Sequence, residues 1–259
     1  MPVAEADATV ARAIGGLIQL CLETGIDDSH GAGHAAAVLH HAEAAVAAAA
    51  QPLSEARALA VRLAALLHDA DDKKYFPKTC RTYANARQIM SDAGAAPAVV
   101  EDALRMISLV SCTSNGNAAP PEARTSPELL WPRWADRLEA SGEVGVVRCY
   151  QYNRHVGAPL SVDQTPRPAT QEEVWRHATE ERFEEYQASG GGSASMVDHY
   201  YDKLLHVARP PPRLVQNRYL EAEAEARVAP LVEVCLAFGE AGEVPLGLIT
   251  EMERRLATA

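Results

Sequence analysis

Apolar residues recur at helical spacing through most of the chain. Val10, Ile14, Leu17, Ile18 and Cys21 fall three to four positions apart, the period of one helix face. The stretch "ETGIDDSHG" breaks that pattern and offers an N-cap for a second helix, from about Ser29 to Ala49. A third helix is expected to start near the cap Ser54 and to turn Leu59, Leu63, Leu66 and Leu67 towards the core. Shorter helices are predicted at about 82–93 and 97–110, followed by "SCTSNGNAAPPEARTSP", which reads as a long loop. Helical pattern resumes from about Pro127 to Gln151, and "NRHVGAPLSVDQTPRP" reads as a second loop. Gln171 to Gln187 is predicted to be a charged, solvent-facing helix, and "SGGGSAS" is flexible by composition. Beyond it, "MVDHYYDKLLHVA" and the acidic run from Arg213 to Phe238 predict two more helices. Strand-like alternation is nearly absent and there is no internal repeat. The expected architecture is all-α, one domain over 1–259 with a core at about 28–152 and a helical C-terminal extension at about 171–259.

Composition narrows the classes of function. Hydrophobic residues make up 47% of the chain and charged residues 23%, as in soluble globular proteins, and alanine runs such as Ala47 to Ala50 favour helix. The formal charge of −11 argues against binding duplex nucleic acid or an anionic membrane, and no stretch is apolar for long enough to span a bilayer. The N-terminus carries acids ahead of its apolar part, unlike a secretory signal. Five scattered cysteines without a CxxC pair predict free thiols and a cytoplasmic location.

Chemistry concentrates in "RLAALLHDADDKKYF". His68 and Asp69 follow a leucine-rich face, where a polar pair costs free energy unless a divalent cation or other partner compensates it. His30 and His34 lie one helical turn apart at the start of the second helix, so their imidazoles can face one site. His40 and His41, on the same helix, read as surface residues. A further carboxylate, Asp136, stands between Ala135 and Leu138 at the edge of an apolar face.

The order His, then His-Asp, then a distant Asp in a helical chain resembles the HD superfamily of metal-dependent phosphohydrolases. "DSHGAGH", "LAALLHDADDKKY", "ADRLEASGEVGVVRCYQY" and "DHYYDKLLHV" occur in the order seen in its YpgQ-like branch, over about 28–240. The characterised member of that branch is a manganese-dependent nucleoside triphosphate pyrophosphohydrolase. Trp134 and the proline-rich "VARPPPRLVQNRYL" depart from the branch pattern.

The resemblance implies an HD-type helical bundle with metal ligands His34, His68, Asp69 and Asp136. It implies one divalent ion, Mn²⁺ first, with Mg²⁺, Co²⁺ and Fe²⁺ as alternatives; this donor set suits any of them. Asp72 matches the acidic position of the HDxxE pattern, where it orients or deprotonates the attacking water, and His30 is a candidate proton donor. Lys74, Arg137, Arg148 and Lys203 are candidate phosphate contacts, with Tyr201 beside them. Arg137 is equally readable as a support tied to Glu139 or Glu128.

Dinuclear HD proteins use extra histidines between the HD pair and the last aspartate, and none occurs from Asp69 to Asp136, which favours a single metal. The expected partner is a small nucleotide or phosphate ester, and a homodimer is compatible with the sequence. The expected reaction is hydrolysis of a nucleoside triphosphate to monophosphate and pyrophosphate. The alternatives are hydrolysis of another phosphate ester, or a regulatory HD protein that binds nucleotide without turnover.

Overall fold

A computed structural model describes residues 3–26 and 31–258. All regular structure among them is helical, with no strand. Their contacts divide into two compact units. The first comprises Met1–Ser111, Ala119–Asp136 and Pro212–Leu220, and the second Cys112–Ala118, Arg137–Pro211 and Glu221–Ala259.

In the first unit, α1 (Val3–Thr24), α2 (Ala32–Ala47), α3 (Glu55–Leu67), α4 (Ala84–Asp92) and α5 (Pro97–Ser108) surround a small-residue core. The stripe α1 buries is Ala6, Val10, Ala13 and Leu17, whereas Ile18 points outward at 43% exposure. Helix α3 packs against α1, α2 and α5. Its N-cap is Ser54, whose hydroxyl accepts the Arg57 N–H at 3.3 Å, and Leu59, Leu63, Leu66 and Leu67 are buried as expected. Ala42, Ala45, Ala60 and Ala64 have no exposed surface. Side chains this small allow helix axes to approach at the short end of the usual range.

Helix α2 has Gly31 as its N-cap, and Ser29 lies outside the described residues. His40 is exposed, but His41 is buried, with Nδ1 2.7 Å from the Tyr219 hydroxyl. This corrects the surface reading of His41: its side of the helix faces the returning segment Pro212–Leu220.

In the second unit, α8 (Gly142–Val156) packs against α15 (Val228–Ala241) and α16 (Leu246–Leu256). The long loop expected after Ser111 contains the short helix α6 (Cys112–Asn115), in this unit, and a 3₁₀ turn at Pro121–Arg124, in the first. The helix expected from Gln171 to Gln187 is two, α9 (Gln171–His177) and α10 (Glu180–Ala188), because Thr179 caps the second by accepting the Arg182 N–H at 3.3 Å. These helices are not wholly solvent-facing, since Val174, Phe183 and Tyr186 are buried.

The "MVDHYYDKLLHVA" segment forms α11 (Met196–His199), a π turn at Tyr200–Leu204 and α12 (Leu205–Val207). A π turn leaves a carbonyl without its usual helical donor. Here His206 Nε2 lies 3.1 Å from the Tyr201 carbonyl, while Arg182 bridges Asp198 at 3.0 Å and Asp202 at 2.6 Å. The remaining helices are α13 (Pro212–Val215) and α14 (Arg218–Ala226), with α7 (Trp131–Leu138) following a 3₁₀ turn at Pro127–Leu130.

Candidate metal centre

Four of the side chains singled out in the sequence meet in the first unit. His34 stands in the first turn of α2, His68 caps the end of α3, Asp69 follows it, and Asp136 comes from α7. Each support is held separately. The Trp131 indole N–H donates to the Val215 carbonyl at 3.0 Å and Arg133 Nε to the Leu109 carbonyl at 2.6 Å, which fixes the rotation of α7. Arg57 on α3 binds Glu128 at 3.0 Å and also Asp102 on α5.

His34 Nε2 is 3.3 Å from Asp136 Oδ1 and 3.8 Å from Asp69 Oδ2. His68 Nε2 is 3.2 Å from Asp69 Oδ2 and 3.5 Å from Asp136 Oδ1. His34, His68 and Asp136 each offer one ligand atom, all within 4.8 Å of one another, and Asp69 joins them through the distances above. Atoms bound about 2.0–2.2 Å from one ion stand roughly 3 to 3.5 Å apart as neighbours in its shell, so the spacing fits a shared divalent cation.

The imidazole orientation fits as well. His68 Nδ1 lies 2.8 Å from the Ala65 carbonyl, which requires the proton on that nitrogen. Nε2 is therefore the nitrogen a metal would take on the neutral ring, and it is buried and makes no aligned hydrogen bond to a described residue. Both imidazoles are enclosed, at 5% and 2% side-chain exposure, while Asp69 and Asp136 keep 22% and 29%, so the centre opens to solvent on its carboxylate side.

Without a cation, the charges of His68, Asp69 and Asp136 compensate one another. Burial pushes the His68 pKa down, but Asp69 and Asp136 beside it outweigh burial and hold it well above the ordinary imidazole value. Burial likewise pushes both carboxyls up. His68 overcomes this at Asp69, and His34 with His68 overcomes it at Asp136, leaving Asp69 below and Asp136 well below the usual carboxylate value.

The other candidates are placed as follows. His30 lies outside the described residues. Asp72 is half-buried just after the centre. Its N–H bonds the Asp69 carbonyl at 3.0 Å, and its Oδ1 accepts the Lys74 N–H at 2.7 Å. Lys74 is exposed, with its ammonium 5.0 Å from the Tyr75 ring centre.

Arg137, Arg148, Tyr201 and Lys203 belong to the second unit. Arg137 is buried and donates to the Asn117 side chain at 2.6 Å and to the Gly116 carbonyl. Those bonds are supporting ones; Arg57 binds Glu128 and Arg227 binds Glu139. Arg148 donates to the Glu139 carbonyl at 2.9 Å. Tyr201 is fully buried, which raises its hydroxyl pKa, and Lys203 interacts with Tyr186, His199 and Cys149.

One residue near the centre has a structural part that the sequence did not disclose. Asp71 is 5% exposed, and its carboxylate accepts the Asn85 N–H at 3.1 Å and the Ala86 N–H at 2.9 Å, capping α4 from across a loop. Asn85 returns the link, donating its side-chain amide to the Ala70 carbonyl at 3.0 Å. A cap supplied from so far along the chain leaves no local motif.

Fold and site together define an all-helical protein with a candidate His/His/Asp metal centre. The chain belongs to the family of the uncharacterized protein L803 of Acanthamoeba polyphaga mimivirus, to which it is 35% identical over 221 residues, covering 81% of this chain and 88% of that one. No protein-family model matches it. A crystal structure of a Lactobacillus plantarum protein is similar at a TM-score of 0.61 and 20% identity, covering 92% of this chain and 96% of that one. The Lin1889 protein of Listeria innocua is similar at 0.55 and 17% identity, covering 90% and 94%. At these identities the likeness is one of fold.

Proposed function

We propose that the chain is an HD-type phosphohydrolase using one divalent metal ion, with a nucleoside triphosphate as substrate and the corresponding monophosphate and pyrophosphate as products. The observation that carries the proposal is the buried Nε2 of His68, set in its ligating tautomer by Ala65 and facing two carboxylates at ion-sharing distances. His34 and His68 supply nitrogen donors, and Asp69 and Asp136 supply oxygen donors. A divalent cation held there would acidify a water and draw off charge developing on the phosphoryl oxygens.

The protein's own groups do the rest. The buried imidazoles fix one side of the centre, and the partly exposed carboxylates leave the other side to solvent and substrate. Asp72, folded back by its bond to the Asp69 carbonyl, is the group proposed to orient the attacking water and accept its proton. Lys74 is the proposed phosphate contact.

The test is a screen of nucleotides and other phosphate esters with Mn²⁺, Mg²⁺, Co²⁺ or Fe²⁺, scored by product mass. The expected result is monophosphate with pyrophosphate from a triphosphate, lost in Asp136→Asn. Turnover of only another ester would reassign the substrate. Metal uptake with nucleotide binding and no product would favour a regulatory binding protein.

A further inference from the structure

The chain contains only four lysines, and three of them, Lys73, Lys74 and Lys78, lie within a few residues of one another directly after the metal-centre segment. Arg81 adds a fourth cation to residues 72–83, against Asp72 as the only acid, in a protein whose net charge is −11. All four cations are exposed. Lys73, Lys78 and Arg81 form no ion pair with any described residue, although arginines elsewhere repeatedly pair with acids, as in Arg57 with Glu128 and Arg62 with Glu43.

This loop is built rather than slack. Successive turns run through it: Tyr75 N–H to the Asp72 carbonyl at 3.0 Å, Cys80 N–H to the Phe76 carbonyl at 2.9 Å, and Tyr83 N–H to the Thr79 carbonyl at 2.9 Å. Its base is clasped by Asp71 on the Asn85 and Ala86 N–H groups and by Asn85 on the Ala70 carbonyl. Tyr83 closes it in the left-handed region at φ 51°, a conformation that costs a non-glycine residue of order 1 kcal/mol and persists because both sides are fixed.

Position gives the cations a purpose. The turn from Asp69 to Asp72 brings those Cα atoms within about 7 Å, so Lys73 starts within about 11 Å of a candidate ligand. That is close to the Debye length of about 8 Å at physiological ionic strength. Exposed positive charge that starts at this range with Lys73, and pairs with no described residue at Lys73, Lys78 and Arg81, raises the local concentration of anions against an otherwise repelling surface.

We infer that residues 72–83 form an anion-recruiting loop whose Lys73, Lys78 and Arg81 capture a polyphosphate group and deliver it to the adjacent metal centre. The inference deepens the phosphohydrolase reading and rests on it for the destination of the ligand, but not for capture itself. It specifies a ligand with several negative charges on adjacent phosphates, rather than a monoester.

Capture is tested on the full, metal-free chain with inorganic tripolyphosphate as the probe and orthophosphate as the low-charge comparison, using titration calorimetry at several salt concentrations. The expected result is tripolyphosphate binding that weakens with salt and exceeds orthophosphate binding. In the triple variant Lys73→Ser, Lys78→Ser, Arg81→Ser it should weaken at least about tenfold. Melting temperature of that variant is expected to stay at the wild-type value, since these side chains are exposed and pair with no described residue.

Equal affinity in the variant and the wild type, or no binding by the wild type, would overturn the inference. Tighter loop-dependent binding of a single-stranded oligonucleotide would overturn the commitment to a small anion. Mn²⁺-dependent turnover is scored separately. Loop-dependent capture without turnover removes the hydrolase reading alone, and turnover that persists without capture removes the loop inference alone.

Discussion

His68 divides its two ring nitrogens between structure and chemistry. Nδ1 is tied to the Ala65 carbonyl, and Nε2 faces Asp69 and Asp136. In the metal-free protein the imidazolium is favoured, so its contribution to stability is complete below the unfolded value of about 6.5 and fades as pH rises through the higher folded value. The depressed Asp69 and Asp136 act oppositely, stabilising the fold above the ordinary carboxylate range and losing that effect as pH falls through their lowered values.

A metal must displace the His68 proton, so the rise in melting temperature on adding Mn²⁺ is expected to grow as pH climbs from about 6.5 upward. Thermal melts with Mn²⁺ and with chelator across that range check it, and a constant difference would contradict it. Asp69→Ala is expected to abolish metal uptake while leaving helical content largely intact, read by metal analysis and circular dichroism. His68 and Asp69 stand out in the sequence because a polar pair behind an apolar helix face needs a compensating partner. Asp71 does not, because its partners Asn85 and Ala86 are brought to it only by the folded loop.

Among the elements, α3 decides most, since it carries His68 and packs against α1, α2 and α5. Leu63→Ala at its fully buried centre is expected to cost about 2–5 kcal/mol in urea unfolding. Asp71→Ala leaves two backbone N–H groups without their acceptor and is expected to cost about 1–3 kcal/mol, with Asp71→Asn milder because an amide oxygen remains. Helices with strong apolar stripes and a local cap, such as α3 behind Ser54, could be read from the sequence almost to the residue. The break at Thr179 escaped because charged residues on both sides continue one pattern, and the turn at Tyr200–Leu204 because its supports, Arg182 and Asp198, are set by tertiary contact.

At the scale of the whole molecule, the described helices include none long and apolar enough to cross a membrane. All four candidate ligands lie in the first of the two units. Added Mn²⁺ is therefore expected to slow amide exchange most at the start of α2, around His68–Asp69 and in α7. The second unit's own core, around Tyr200, Tyr201 and Leu205, should respond least. Exchange mass spectrometry with and without metal reads this directly, and a response centred on that core would contradict the placement of the ion.

The first unit is assembled from three separate stretches of chain, and its last stretch, Pro212–Leu220, receives the Trp131 indole N–H at Val215 and places the Asn217 amide on the Ala45 carbonyl. Trp131 and Val215 are 84 positions apart. During synthesis, then, every ligand has left the ribosome well before the piece that locks the α7 support and braces α2. A nascent chain stalled short of Pro212 would expose its imidazoles and carboxylates while lacking the brace that holds them in register.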